Sequence, residues 1–367
     1  MKTKTSILLG MLAAAGLFVD TARPCTSLVL ETKDDLCFAR NLDWFWEDGL
    51  VIVNQRNLKK RALLIAGGKP AEWTSQYGSV TFNQMGQELP FGGMNEAGLV
   101  VENMMLYETR YPERDERPEV NMVQWIQYQL DTCATVDEVL ATDRTIRMEP
   151  PVFPARIHYL ICDRTGASAT IEFLGGRMVV HHGGDLPNRI LSNSTYEAST
   201  AFLQRWQTSG EKPAEVQGTG SLERFARAAQ LAEDFGKTGN DTPVDRAFAA
   251  LENVHQPRLT VWSIVYEPQV QRIHYRTRSR PETKVIEFKQ LDFACGQDPQ
   301  YADLGWEVAA GTPPTFQRLT PEKHRAYLEQ FFARESVIGQ FGDLRPMLPL
   351  VLGTARSMEC DGKPARP

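Results

Sequence analysis

The chain has 367 residues, 42% hydrophobic and 23% charged, a composition that excludes a disordered, collagen-like or coiled-coil protein. Forty Lys and Arg against 46 Asp and Glu give a net charge of −6, which argues against nucleic acid as the main partner. Six cysteines are too few for a disulfide scaffold.

Lys2 and Lys4 precede an apolar run from Ile7 to Val19 that only Gly10 and Gly16 interrupt. At ~1.5 Å per residue such a helix falls well short of the ~30 Å membrane core. Residues 1–24 therefore read as a signal peptide or propeptide rather than a span. Ala13, Ala14 and Ala15 offer a small-residue cleavage site and Ala22 a less regular one, while Arg23 and Pro24 ahead of Cys25 argue against a lipoprotein. Removal takes away Lys2, Lys4, Arg23 and Asp20, moving the net charge from −6 to −8. The expectation is an exported protein, periplasmic or secreted, with no membrane association in its mature form and a single domain over residues 25–367. Export permits disulfides, and Cys295 with Cys360 is a candidate pair.

Beyond the leader, Thr26 to Glu31 and Leu36 to Arg40 are strand-like and flank the polar turn Lys33-Asp34-Asp35, which predicts a hairpin. Leu50 to Val53, Ala62 to Ile65 and Leu99 to Val101 are further short apolar runs. Met122, Ile126, Leu130 and Cys133 share one helical face, and Thr135 with Glu138 predicts a capping box for the next helix. Strands are expected again at Ile157 to Cys162, Ala169 to Phe173 and Met178 to His181. Leu222, Phe225, Ala226 and Ala229 mark one amphipathic helix, and Thr242-Pro243 opens another. Leu259 to Tyr266 and Gln271 to Tyr275 read as strands around a break at Glu267-Pro268, and Pro321 to Arg334 as a surface helix. The pattern is α+β, with sheets packed between helical layers.

The chain contains no P-loop, no G-x-G-x-x-G, no H-E-x-x-H and no C-x-x-C. His181 and His182, adjacent on a strand, point to opposite faces, so a shared metal is not expected. What remains is Cys25. If processing stops at Pro24, this residue owns both a thiol and an α-amine, whose reference pKa values of ~8.5 and ~7.7–8.0 let the amine act as base to the sulfur without a histidine. The alternative is a cysteine that is merely structural. Arg40 and Asp43 lie on the strand that pairs back toward Cys25; a cation there lowers a thiol pKa, and a carboxylate can hold an ammonium. They could equally form a plain surface ion pair.

At these residues the sequence resembles the choloylglycine hydrolase family, the bile salt hydrolases and penicillin V acylases of the N-terminal-nucleophile superfamily. Cys25-Thr26, Arg40-Asn41-Leu42-Asp43-Trp44 and Trp73 to Val80 match in order. Gly93-Met94-Asn95-Glu96-Ala97-Gly98-Leu99, Leu191-Ser192-Asn193-Ser194 and Arg224-Phe225-Ala226-Arg227-Ala228 continue the series. The resemblance implies a four-layer αββα sandwich, hydrolysis of linear amides, no cofactor or metal, a small-molecule amide substrate and a homotetramer. Carried over by position, Cys25 is the nucleophile and its α-amine the base. Asp43 holds the amine, Arg40 lies beside the sulfur, Asn193 donates to the oxyanion and Arg224 completes the polar shell. The backbone N–H of Met105 would share the oxyanion, at a position where bile salt hydrolases carry Asn and some penicillin acylases Tyr. Trp44, Trp46, Met104 and Leu106, apolar and polarizable, are expected to line the acyl pocket. Conjugated bile salts, penicillin V and acyl homoserine lactones are the competing substrates. An exported binding protein with a structural Cys25, and a Cys–His protease, are the rival readings.

Overall fold

The computed structural model describes residues 25–150, 156–209, 218–237, 241–304 and 313–362; the expected leader lies outside them. The chain opens with β1 (Thr26–Glu31), β2 (Leu36–Asp43), β3 (Leu50–Asn54), β4 (Leu58–Arg61), β5 (Glu72–Thr74), β6 (Ser79–Asn83), β7 (Pro90–Asn95), β8 (Val100–Met105) and β9 (Glu119–Val120). Helices α1 (Gln124–Thr132) and α2 (Val136–Ala141) precede β10 (Arg147–Met148), β11 (Ile157–Cys162), β12 (Ser168–Leu174), β13 (Arg177–His182) and β14 (Ile190–Leu191). Three helices follow, α3 (Tyr196–Ser209), α4 (Ser221–Asp234) and α5 (Pro243–Asn253). Then come β15 (Thr260–Glu267), β16 (Arg272–Thr277), β17 (Arg280–Glu287), β18 (Gln300–Asp303) and β19 (Gln317–Arg318). The last elements are α6 (Pro321–Phe332), α7 (Glu335–Phe341), α8 (Leu348–Arg356) and β20 (Glu359–Cys360).

Two antiparallel sheets stack face to face. One has the order β14-β1-β2-β15-β16-β17, the other β13-β12-β11-β8-β7-β6-β3-β18-β19. Strand alternation sorts their side chains into three apolar layers. Val29, Phe38, Val53, Phe82, Met94, Leu160, Ile264 and Tyr266 meet between the sheets. Leu28, Leu30, Ala39 and Val265 point outward onto α3, α4 and α5, against Leu203, Phe225, Ala229, Phe248 and Leu251. Val101, Tyr159, Ile161 and Ile171 point outward from the other sheet onto α1 and α2. The result is the expected four-layer αββα sandwich. Both faces of β2 are covered, so all eight of its residues are buried and its sequence shows no polar–apolar alternation.

The predicted hairpin is present, pairing Thr26 with Asn41 and Ser27 with Arg40. The Thr135–Glu138 capping box and the Thr242 cap of α5 are formed. Ala62 to Ile65, by contrast, is not a strand. Its backbone bonds go elsewhere: Leu63 N–H donates to Gln124 Oε1 (2.7 Å) and Ile65 N–H to Glu149 Oε1 (2.5 Å), so a loop buries Ala62 and Leu63 and half-buries Leu64 and Ile65. The helix expected from Pro321 ends at Phe332, and it is not simply superficial, because Leu328, Phe331 and Phe332 enter the inter-sheet core. Cys295 and Cys360 are joined as a disulfide. Among the described residues no helix is long and apolar enough to cross a membrane.

Candidate active site

The β1–β2 hairpin brings Cys25, Arg40 and Asp43 together at one end of the first sheet. Cys25 is buried, and its Sγ approaches the Asp43 carbonyl at 3.8 Å. Asp43, on the last position of β2, accepts a hydrogen bond from the Thr260 hydroxyl through Oδ1. Its other oxygen, Oδ2, is buried and has no hydrogen-bond partner among the described residues. Burial raises the Asp43 carboxyl to about 7, against the pull of the Thr260 bond and of the Arg224 and Arg40 charges.

Arg40 turns from β2 into the space between the sheets. Its guanidinium pairs with Glu102 of β8, and donates to the carbonyls of Phe91 (2.8 Å) and Asn103 (2.9 Å). Glu102 also accepts the Tyr266 hydroxyl, and burial raises its carboxyl to about 7. The plain surface Arg40–Asp43 pair is thus excluded: both residues are fully buried, and the partner of Arg40 is Glu102. The Cys25 thiol lies above its ordinary range because of burial, which outweighs the opposing fields of Arg40 and Arg224. At neutral pH the sulfur therefore rests as a thiol and needs a base before it can attack.

From the helical layer, α4 delivers Arg224. Fully buried rather than solvated, it donates to the Cys25 carbonyl (2.6 Å), the Thr26 hydroxyl and Asn193 Oδ1 (3.0 Å). Burial lowers it to about 10, with Asp43 and Cys25 opposing. Asn193, just beyond β14, has its backbone N–H held by Ser221 Oγ (2.8 Å), and its Nδ2 donates to the Met105 carbonyl at 2.8 Å. Leu106 N–H donates to the Arg156 carbonyl on the β11 side. Met105, one residue earlier, therefore turns its own N–H and C=O away from β11 and toward Asn193. The pairing of β8 with β11 runs without a register break, and Asn103 spends its amide on the Phe91 carbonyl at 2.9 Å.

The structure thus brings Cys25, Arg40, Asp43, Asn193, Met105 and Arg224 into one connected cluster. Trp44, Trp46 and Met104 share the apolar cluster that includes Cys25. Leu106 is buried beyond the end of β8 and outside that cluster. Glu102, Thr260, Tyr266 and Ser221 escaped the sequence reading. A carboxylate directly after the apolar run Leu99 to Val101 was the available signal for Glu102; Thr260 lies 217 positions from Asp43 and carried none. Among the described residues no three or more His, Cys, Asp or Glu are grouped to hold a metal. His158, on β11 opposite Met104 of β8, commits Nδ1 to Glu172 (3.1 Å) and Nε2 to the Ser192 carbonyl (2.8 Å). The charges acting on the Cys25 sulfur come from Arg40, Asp43 and Arg224.

A sandwich of this kind, with a cysteine at the head of its first strand inside a shell of arginines, amide and carboxyl, defines an amide-hydrolysing class. The chain belongs to the choloylglycine hydrolase family of linear amide C–N hydrolases, whose pattern matches residues 25–292. A penicillin V acylase from Pectobacterium atrosepticum is 26% identical over 309 residues, 73% of this chain and 81% of that protein. The structure of a penicillin V acylase from Agrobacterium tumefaciens superimposes with a TM-score of 0.68 at 25% identity, covering 81% of this chain and 98% of that one. A variant conjugated bile acid hydrolase from Clostridium perfringens gives 0.62 at 19% identity, covering 78% and 98%, a likeness of fold.

Proposed function

We propose that the mature chain begins at Cys25 and, after export, hydrolyses linear amides of bulky hydrophobic acyl groups, with penicillin V the first candidate and conjugated bile salts the second. The observation that carries this reading is the buried Oδ2 of Asp43, unpartnered among the described residues beside a thiol that rests protonated. A buried carboxylate oxygen without a donor costs free energy, and an α-ammonium on Cys25 is the group that would satisfy it. The disulfide between Cys295 and Cys360 suits an oxidising compartment, and the two penicillin V acylases support the substrate order.

In this mechanism the α-amine takes the Cys25 thiol proton as sulfur attacks the amide carbonyl. The second N–H of Asn193 Nδ2 and the backbone N–H of Met105 bind the oxyanion, each such donor lowering the barrier by ~2.7–4 kcal/mol. The ammonium returns its proton to the leaving amine, leaving a thioester. Water, activated by the same amine, then releases the acid and regenerates the thiol. Arg224 fixes the Cys25 carbonyl and orients the Asn193 amide; Arg40 favours the thiolate.

Intact mass and N-terminal sequence of the secreted protein test the reading, alongside assays on penicillin V, glycine- and taurine-conjugated bile salts and acyl homoserine lactones. The expected chain starts at Cys25 and cleaves at least one amide, and Cys25→Ala abolishes turnover. A chain that retains residues ahead of Cys25 at full activity, or an active Cys25→Ala, overturns it. Loss of activity on changing a single histidine would favour a Cys–His protease instead.

A further inference from the structure

The family match ends at residue 292, yet the chain after it is built into the molecule beside the site. Strand β18 extends the second sheet next to β3, and β20 pairs with β4. The Cys295–Cys360 disulfide closes this segment on itself. Leu328, Phe331, Phe332, Val337, Leu344, Met347, Val351 and Leu352 join the same apolar cluster as Cys25, Trp44 and Trp46. The contacts converge on one loop, residues 44–48, which leaves β2 directly after Asp43. Phe331 meets Trp46 edge to face at 5.5 Å between centroids, and the indole N–H of Trp46 donates to Ser336 Oγ. Arg334 pairs with Asp48. Tyr327 donates its hydroxyl to the Gln84 carbonyl (2.9 Å), while Gln84 Nε2 donates to the carbonyls of Trp46 (2.6 Å) and Asp48 (3.0 Å). The same loop borders a cavity of about 310 Å³ lined by Phe45, Trp46, Glu47, Asp48, Arg278 and Ser279.

We infer that the C-terminal segment, residues 313–362, is a specificity element: by seating Trp46 on Phe331 and Ser336 it fixes the wall of the acyl pocket and selects for bulky aromatic or polycyclic acyl groups. The inference rests on the reading that Trp44 and Trp46 face the acyl group. Phe331 and Ser336 touch no reacting atom in this scheme. They are positioning residues acting through Trp46, Phe331 by its ring contact and Ser336 by the indole hydrogen bond.

The test measures kcat and KM for a series of N-acyl amides sharing one amine, from acetyl to phenoxyacetyl and larger, in wild type, Phe331→Ala and the milder Ser336→Ala. Reshaping an apolar pocket by a few carbon atoms shifts discrimination by about 10–200-fold. The kcat/KM ratio of the bulkiest to the smallest acyl group is accordingly expected to fall at least about ten-fold in Phe331→Ala and several-fold in Ser336→Ala, through KM for the bulky members. Variants that melt earlier but keep the wild-type ratio overturn the inference and leave a merely structural appendage. A wild type inert toward the whole series overturns the underlying functional reading instead, and the two failures are told apart by the wild-type row alone.

Discussion

Asp43 is the residue in which stability and chemistry oppose each other. Its carboxyl is buried at the end of β2 with one oxygen satisfied by Thr260 and the other not, and burial lifts its folded value to about 7 from an unfolded value near ~3.9. For a carboxyl raised on folding, the stabilising contribution is complete below pH ~4 and is lost as pH rises to about 7. A Cys25→Ala chain kept with its leader, and so without an α-ammonium at position 25, should lose about 4 kcal/mol from Asp43 over that interval, at ~1.4 kcal/mol per pKa unit. Adding Asp43→Asn should remove the share of the slope that belongs to Asp43 and leave that of Glu102, since the amide oxygen still accepts from Thr260 and cannot ionise. In the processed wild type the ammonium should offset the carboxylate and shrink the slope as well. Denaturation at pH 4, 5.5, 7 and 8 on the three proteins checks this. A slope left unchanged by Asp43→Asn would assign all of it to the other buried acids, Glu102 first.

Among the elements, the hairpin and the capped helices were readable in advance because their causes are local. The turn Lys33-Asp34-Asp35 and the alternation around it set the β1–β2 pairing, which alone brings Arg40 and Asp43 to Cys25. Thr135 and Thr242 announced their helices by spacing. Strand β8 was different. Its apolar run, Leu99 to Val101, shows a strand but not that Glu102 would lie across from Gly92 of β7 and under Arg40. Gly92 makes that possible: a Cβ there would collide with the Glu102 carboxylate, so the glycine is required by close approach rather than by its backbone angles. Gly92→Ala should push Glu102 off the Arg40 guanidinium, at a stability cost of about 1–3 kcal/mol for an overpacked core. It should also lower kcat, because Arg40 would lose the partner that sets its place beside the sulfur. Gly92→Ala, Glu102→Ala and the double variant form a cycle that isolates this clash. Additive losses would show that Gly92 and Glu102 are not coupled.

Across the whole molecule, the sandwich from β1 to β17 follows motifs that stand in order along the sequence, whereas the C-terminal quarter follows none. Leu328, Phe331 and Phe332 could be seen as one stripe of a helix, but nothing near them in sequence says they would cover Trp46, some 285 positions away. That contact depends on where the sandwich leaves an open flank and on how the end of the chain is tied down. Two residue pairs link β20 to β4 and Asp361 bonds to Asn57 and Lys59, while the Cys295–Cys360 disulfide, spanning 65 residues, is the covalent tether. Closing a loop of that length is worth roughly 4 kcal/mol on the chain-entropy model. Cys295→Ser with Cys360→Ser should therefore lower the melting temperature, and should do so unevenly. Hydrogen exchange ought to accelerate first in α8 and β20, then in the loop after Asp43, while β1, β2 and β15 at the centre of the sheet keep their protection. Uniform acceleration across the sheets would mean that the tether stabilises one cooperative unit. Unchanged exchange in the loop after Asp43 would mean that the helices hold Trp46 without the disulfide.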